Sequence, residues 1–248
     1  MNELEALRQG IQGGELFLEY QPIVELESGR CTGAEALVRW RRATGVVQPA
    51  DFIPLIEDTP LSGMLTYWVI EQLAEELGDW LRHHPGASLA INVPPELLGR
   101  GGLVYAAQKA GLGDLFGQLV LEITERSVPD RLGLAGLAMA SQLGVQIALD
   151  DVDMQAANAI VLSRCNVHLV KIDRSLVAQI GPDGEAPSWL VDLTNLSRST
   201  ELKIIAEGVE TAAQAQALHE AGIALAQGFH FSRPLSAGSF RVYFAEHS

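Results

Sequence analysis

Basic residues are scarce in this chain. Seventeen lysines and arginines face 31 aspartates and glutamates, giving a formal net charge of −14. A surface that acidic repels polyanions, which argues against a nucleic acid polymer as partner. A small phosphorylated ligand stays open, because metal ions or a few cations can reverse the field inside one cleft. Cysteine is nearly absent: Cys31 and Cys165 stand far apart and form no CxxC pair. That excludes a disulfide framework and makes the reducing cytoplasm the expected compartment. Charges interrupt every apolar run before it reaches membrane-spanning length. The opening MNELEALRQG lacks the basic start and apolar run of a signal peptide. Direct membrane insertion is therefore not expected. Low-complexity tracts and linkers are also missing, and GPDGEAP at Gly181–Pro187 reads as a turn between elements. One domain over residues 1–248 is the expected organisation.

What is present is apolar and alternating in kind. Nearly half of the residues, 48%, are hydrophobic, enough for a full core without staples. Short strand-like runs cover Leu16–Val24, Ala34–Val38, Ser88–Val93, Leu119–Thr124, Gln146–Asp151, His168–Ile172, Lys203–Ala206 and Ala224–Phe229. Most lack strict polar alternation, as parallel strands buried on both faces do. Helical patterns lie between them. Leu61, Leu65, Trp68, Leu73, Leu77 and Trp80 form one stripe, read as core packing rather than a ligand box. Leu134–Leu143, Trp189–Leu196 and Ala212–Ala221 form others. About eight strands, most followed by a helix, predict an α/β fold of the (β/α)8 barrel type. An open doubly wound sheet is the alternative, weakened because its glycine fingerprint is missing.

Polar residues cluster where the apolar strands end. Glu35 sits in AEALVRW, Asn92 closes LAIN, and Glu122 and Glu125 sit in LEITE. Asp150 and Asp151 close IALDD, Lys171 and Asp173 sit in LVKID, Glu207 and Glu210 follow KIIA, and Gln227 sits in AQGFHF. Strand C-termini of a barrel converge on one mouth. An all-oxygen set there suits Mg²⁺ or Mn²⁺, whereas zinc favours His or Cys. No HExxH exists, and the six histidines are scattered and read as structural or surface groups. Adjacent aspartates permit one side chain to bridge two ions about 3.5–4 Å apart, the phosphodiester-cleaving arrangement. Any one carboxylate taken alone reads equally as a helix cap or solvated charge. Lys171, among apolar residues, needs a negative partner: either a structural ion pair, or a cation acting on water and phosphorus.

In sequence, YQPIV at Tyr20–Val24, EALVRW, IN, LEITE, ALDD, VKID, AEGVET and QGFHF follow one another in order. This series resembles the EAL-domain family of cyclic di-GMP phosphodiesterases over essentially the whole chain. A second Glu-Ala-Leu at Glu5–Leu7 is expected to be helix surface. The resemblance implies a modified (β/α)8 TIM-like barrel with one antiparallel strand. It implies Glu35, Asn92, Glu122 and Asp150 as ligands of a first Mg²⁺ or Mn²⁺. Asp150, Asp151 and Glu207 are implied for a second ion, directly or through water. Lys171, with Glu35 and Glu207, belongs to the catalytic set, and Lys171 is implied to contact the attacking water. Gln21, Arg39 and Gln227 are implied to surround cyclic di-GMP, Arg39 facing a phosphate. Glu125, Asp173 and Glu210 are implied as supporting residues. The implied reaction is in-line hydrolysis that opens the ring to linear pGpG, by a homodimer. One stretch departs from the family, which typically reads DDFGTGYSS: here Val152–Asn158 follows the aspartate pair, without either glycine. Loss of glycine removes easy access to positive φ. The ligands then either stay placed with altered regulation, or the second metal binds weakly. Asp153 offers a replacement ligand or a solvated loop acid. A non-catalytic cyclic di-GMP receptor is the alternative function. Pro94 is a smaller departure, where the family often has Ser.

Overall fold

A computed structural model describes residues 3–124, 130–152, 166–181, 187–199 and 202–248. Among the described residues there are nine strands: β1 Leu16–Glu25, β2 Cys31–Arg42, β3 Gly45–Val47, β4 Ser88–Asn92, β5 Leu119–Thr124, β6 Gln146–Val152, β7 Leu169–Ile172, β8 Lys203–Ala206 and β9 Leu225–Ala226. Their order is β1-β9-β8-β7-β6-β5-β4-β2, and pairing of β1 with β2 closes the ring. Strand β3 adds only a hairpin at the end of β2. Every neighbouring pair from β2 through β4 to β9 is parallel. Strand β1 is antiparallel to both of its neighbours. The ring is thus a modified (β/α)8 barrel with one reversed strand, as expected.

Two apolar layers hold it. Inside the ring, Ile23, Ala90, Val120, Ala148, Leu169 and Ile205 pack together. Outside it, the larger clusters join the strands to the helices. The helices include α1 Glu3–Gly13, α2 Pro49–Phe52, α3 Pro60–His83, α4 Gly102–Lys109, α5 Arg131–Gln142, α6 Arg174–Val177, α7 Ser188–Ser199, α8 Ala212–Glu220 and α9 Ala237–Glu246. Helix α3 begins where Pro60 fixes φ and the Thr59 hydroxyl accepts from the Leu61 N–H. Its stripe buries Leu65, Leu73 and Leu77, with Trp68 and Trp80 packed partly buried against the core. None of the described helices is long and apolar enough to cross a membrane.

Two expectations need correction. Ala6 and Leu7 of α1 are buried rather than on a helix surface, because α1 packs them in a cluster with Trp40 and Phe52. The last strand ends at Ala226 instead of Phe229. From Gln227 on, the backbone bonds to Val209 in the loop after β8 instead of to a strand, and Gly228 permits that approach, since any Cβ there would overlap the Val209 backbone. The chain therefore turns away as soon as Gln227 is in place.

Candidate active site at the barrel rim

Strand alternation builds the site. In a strand, residues two apart share a face. Two positions beyond each residue of the inner apolar layer stands a polar one. Ala90 leads to Asn92, Val120 to Glu122, Ala148 to Asp150, Leu169 to Lys171, and Ile205 to Glu207. On reversed β1 the order inverts, and Gln21 precedes Ile23. Strand register then sets these residues side by side: Asn92 lies opposite Glu122 in a parallel pair, and Gln21 opposite Glu35 in an antiparallel one.

Lys171 is the hub. Its Nζ lies 2.7 Å from Glu207 Oε1, 2.9 Å from Glu122 Oε1, 3.0 Å from Glu35 Oε2 and 3.4 Å from Asp150 Oδ1. The lysine side chain is 1% exposed and that of Glu122 is 0% exposed, so water screens little of this. Gln227 Nε2 donates to both Glu35 Oε2 (2.8 Å) and Glu207 Oε1 (2.9 Å). Asn92 Nδ2 donates to Glu35 Oε1 at 2.9 Å. Of the six residues expected to ligate metal, five thus meet at one place. The backbone of Asp151 continues β6 beside them, and its side chain lies outside the described residues.

The acids respond differently to one environment. Burial would raise Glu35, but the Lys171 charge and donors from Gln227, Lys171 and Asn92 hold it at about 2. Burial raises Glu122 well above the carboxylate range; the Glu35 charge adds to that, against the pull of Lys171. Burial also raises Glu207 to about 8, with Lys171 opposing and Asp150 and Glu35 adding. For Lys171, burial favours the neutral amine, but the four carboxylates outweigh it and push its pKa up.

These residues fit hard divalent cations. Four carboxylates against one ammonium leave three negative charges uncompensated when all are ionised. Glu122 is more telling: it contacts the lysine ion, yet neither of its buried oxygens receives a hydrogen bond. Its one cation, Lys171, is shared with three other carboxylates, and a buried carboxylate so weakly compensated is costly unless a further cation joins it. Among the described residues no three Asp, Glu, His or Cys side chains already frame a single metal position. The Lys171 ammonium stands where they converge.

The expected substrate-facing residues line the same wall. Arg39, 7% exposed, donates from Nε to Glu19 Oε2 at 2.8 Å and from Nη1 to the Val38 carbonyl at 3.0 Å. Gln21 donates to the Ser232 carbonyl at 2.5 Å. Two expected supporting residues stand apart. Asp173 caps α6, accepting from the Ser175 N–H at 2.9 Å. Glu210 is exposed, and its N–H donates to Gln214 as part of the start of α8. Glu125, Asp153 and the rest of the departing loop after Val152 lie outside the described residues. Sequence reasoning missed Glu19, although it shares a strand face with Gln21.

A closed α/β barrel carrying an acidic, lysine-centred rim defines the broad class: enzymes and binding proteins that work at barrel strand ends. The chain belongs to the EAL domain family, whose model matches residues 4–234. A Mycobacterium tuberculosis relative, the uncharacterized protein Rv1354c, is 37% identical over 248 residues, 97% of this chain and 40% of that one. The probable cyclic di-GMP phosphodiesterase PdeB of Escherichia coli K12 is 31% identical, over 97% of this chain and 47% of its own length. The chain thus spans less than half of these relatives. Among solved structures, the PaMucR phosphodiesterase in its c-di-GMP complex superposes with a TM-score of 0.85 at 32% identity. That match covers 96% of this chain and 98% of that one.

Proposed function

We propose that this chain is a metal-dependent phosphodiesterase that hydrolyses cyclic di-GMP to linear pGpG. The observation that carries the reading is the convergence of Glu35, Glu122, Asp150 and Glu207 on buried Lys171, with Glu122 accepting no hydrogen bond beyond that shared ion contact. Relatives named as cyclic di-GMP phosphodiesterases support the substrate.

Glu35, Asn92, Glu122 and Asp150 would hold one Mg²⁺ or Mn²⁺; Asp150, Asp151 and Glu207 would hold a second. Ions held there would lower the pKa of a bound water and neutralise phosphate charge. Lys171 stays protonated and orients the attacking water while keeping the acids together. Gln227 fixes the Glu35 and Glu207 carboxylates through one amide. Arg39 presents a rigid donor fork to a phosphate, a task its geometry suits better than lysine's. Gln21 lines the same wall. Asp173 supports the site by capping the helix after β7, and Glu125 and Glu210 act from the loops. In this reading residues 1–248 work as a single EAL-type domain in the cytoplasm.

A homodimer completes the proposal. Leu132, Met139 and Leu143 expose a large apolar surface along α5, at 60%, 54% and 42%. Their spacing places them on one helical face. Sedimentation at micromolar concentration is expected to give a dimer, and Met139→Glu to shift it toward monomer. A concentration-independent monomer refutes this part.

The function is tested by following pGpG formation with Mg²⁺ or Mn²⁺. Wild type should turn over, and Glu35→Ala should lose at least about a hundredfold, the scale expected for removing an electrostatic catalytic group. Tight metal-independent binding without turnover would instead establish the receptor function.

A further inference from the structure

We propose that Phe17 and Arg41 form a stacking platform at the barrel mouth for one purine base of the cyclic dinucleotide. This rests on the reading above, and it assigns a recognition subsite beyond the acids and Arg39.

The placement follows from register. Strands β1 and β2 pair Gln21 with Glu35, Glu19 with Leu37, and Phe17 with Arg39. Residues two apart share a face, so Glu35, Leu37, Arg39 and Arg41 all face the barrel axis. The Glu19–Arg39 ion pair and the seat of Arg41 over Phe17 confirm that both strands present these residues on one side. Climbing from the acids to the rim, one therefore meets Gln21 with Glu35, then Glu19 with Leu37, then Phe17 with Arg39, and Arg41 beyond them, seated over Phe17. A nucleotide whose phosphate sits over the acids extends its base toward this upper level.

The chemistry fits a base. The Arg41 guanidinium lies 4.6 Å from the Phe17 ring centroid. Arg41 is exposed and Phe17 half-buried, so the outer guanidinium face is open to a ligand. Among the described residues Arg41 makes no ion pair, in a chain with 31 acidic residues. Its neighbour Arg42 also covers an aromatic ring, Trp40 at 4.3 Å. That pair lies on the opposite face of β2, toward α1, and lines no ligand path. Arginine planes and aromatic rings are the usual supports for stacked bases, and a positive platform suits an anionic ligand.

The test is equilibrium binding of a hydrolysis-resistant phosphorothioate analogue of cyclic di-GMP to the full chain in the presence of Mg²⁺, so that the rim acids are neutralised while turnover is prevented. Wild type is compared with Arg41→Ala, Arg41→Lys and Phe17→Ala, with circular dichroism checking each fold. A cyclic dinucleotide carrying 2-aminopurine reports stacking by fluorescence quenching. Arg41→Ala should bind roughly tenfold more weakly, since one stacked base contributes on that order. Arg41→Lys should recover little, because an ammonium has no plane. Phe17→Ala should weaken binding severalfold, and quenching should fall in all three. Unchanged affinity in Arg41→Ala and Phe17→Ala overturns the platform while the proposed function stands. Full recovery by Arg41→Lys also overturns it, reducing Arg41 to a simple charge. Failure of wild type to bind at all removes the proposed function, and the platform with it.

Discussion

At the scale of single residues, Lys171 decides the most. It compensates four buried or half-buried carboxylates at once. Removing one partner of a buried ion cluster typically costs about 3–5 kcal/mol, because the remaining charges stay unpaired. Lys171→Met is therefore expected to lower the denaturant midpoint of the metal-free protein substantially. Added Mn²⁺ should restore part of the loss by supplying the missing positive charge. A variant as stable as wild type in EDTA would show that the acids do not depend on this ammonium. Much of this was readable residue by residue. Strand-end position picked out Glu35, Asn92, Glu122, Asp150, Lys171 and Glu207. Who pairs with whom was not readable, because partners such as Glu35 and Lys171 lie 136 positions apart and meet only when the ring closes. The same residue types also mislead: Asp173, equally at a strand end, caps a helix instead.

At the scale of elements, close approach between strands sets the geometry of the rim. Gly33 of β2 lies against Ser88 of β4, where any Cβ would overlap the Ser88 carbonyl oxygen. Gly33→Val should pry β2 from β4 and displace Glu35, which pairs beside Ala90 two residues further along. The expected result is a loss of more than about 2 kcal/mol, in the range of overpacked sites, measured by urea unfolding. An unchanged midpoint would mean the two strands adjust freely. Strand positions were legible because buried β-runs bounded by turn residues stand out between helical patterns. The direction of β1 was not. Most of Leu16–Glu25 is buried, with no clean polar alternation to mark an antiparallel strand. Its reversal came from family resemblance, and the pairings with β2 and β9 bear it out. Strand β9 was overestimated for a related reason: apolar residues continue past Ala226, but from Gln227 on the backbone bonds to Val209 instead of to a strand.

At the scale of the whole molecule, a chain of net charge −14 concentrates negative potential at its barrel mouth. Without cations that mouth would repel an anionic substrate; with them the sign of the field inside the cleft reverses. The raised carboxyls make this pH-dependent. Glu207, lifted to about 8, keeps its proton at neutral pH in the metal-free protein. Ionising it costs folded-state stability as pH rises from its ordinary 4.5 toward 8, and an incoming cation must displace that proton. Apparent metal affinity should therefore climb between pH 6 and 8.

Titration with Mn²⁺, followed by its paramagnetic resonance signal at pH 6 and pH 8, tests the central claim most directly. About two ions per chain should bind, as a two-metal site requires. Binding should be tighter at pH 8 and should weaken by at least about tenfold in Glu122→Gln. No specific uptake at millimolar Mn²⁺, or uptake that ignores both pH and Glu122, would contradict a metal-holding barrel rim.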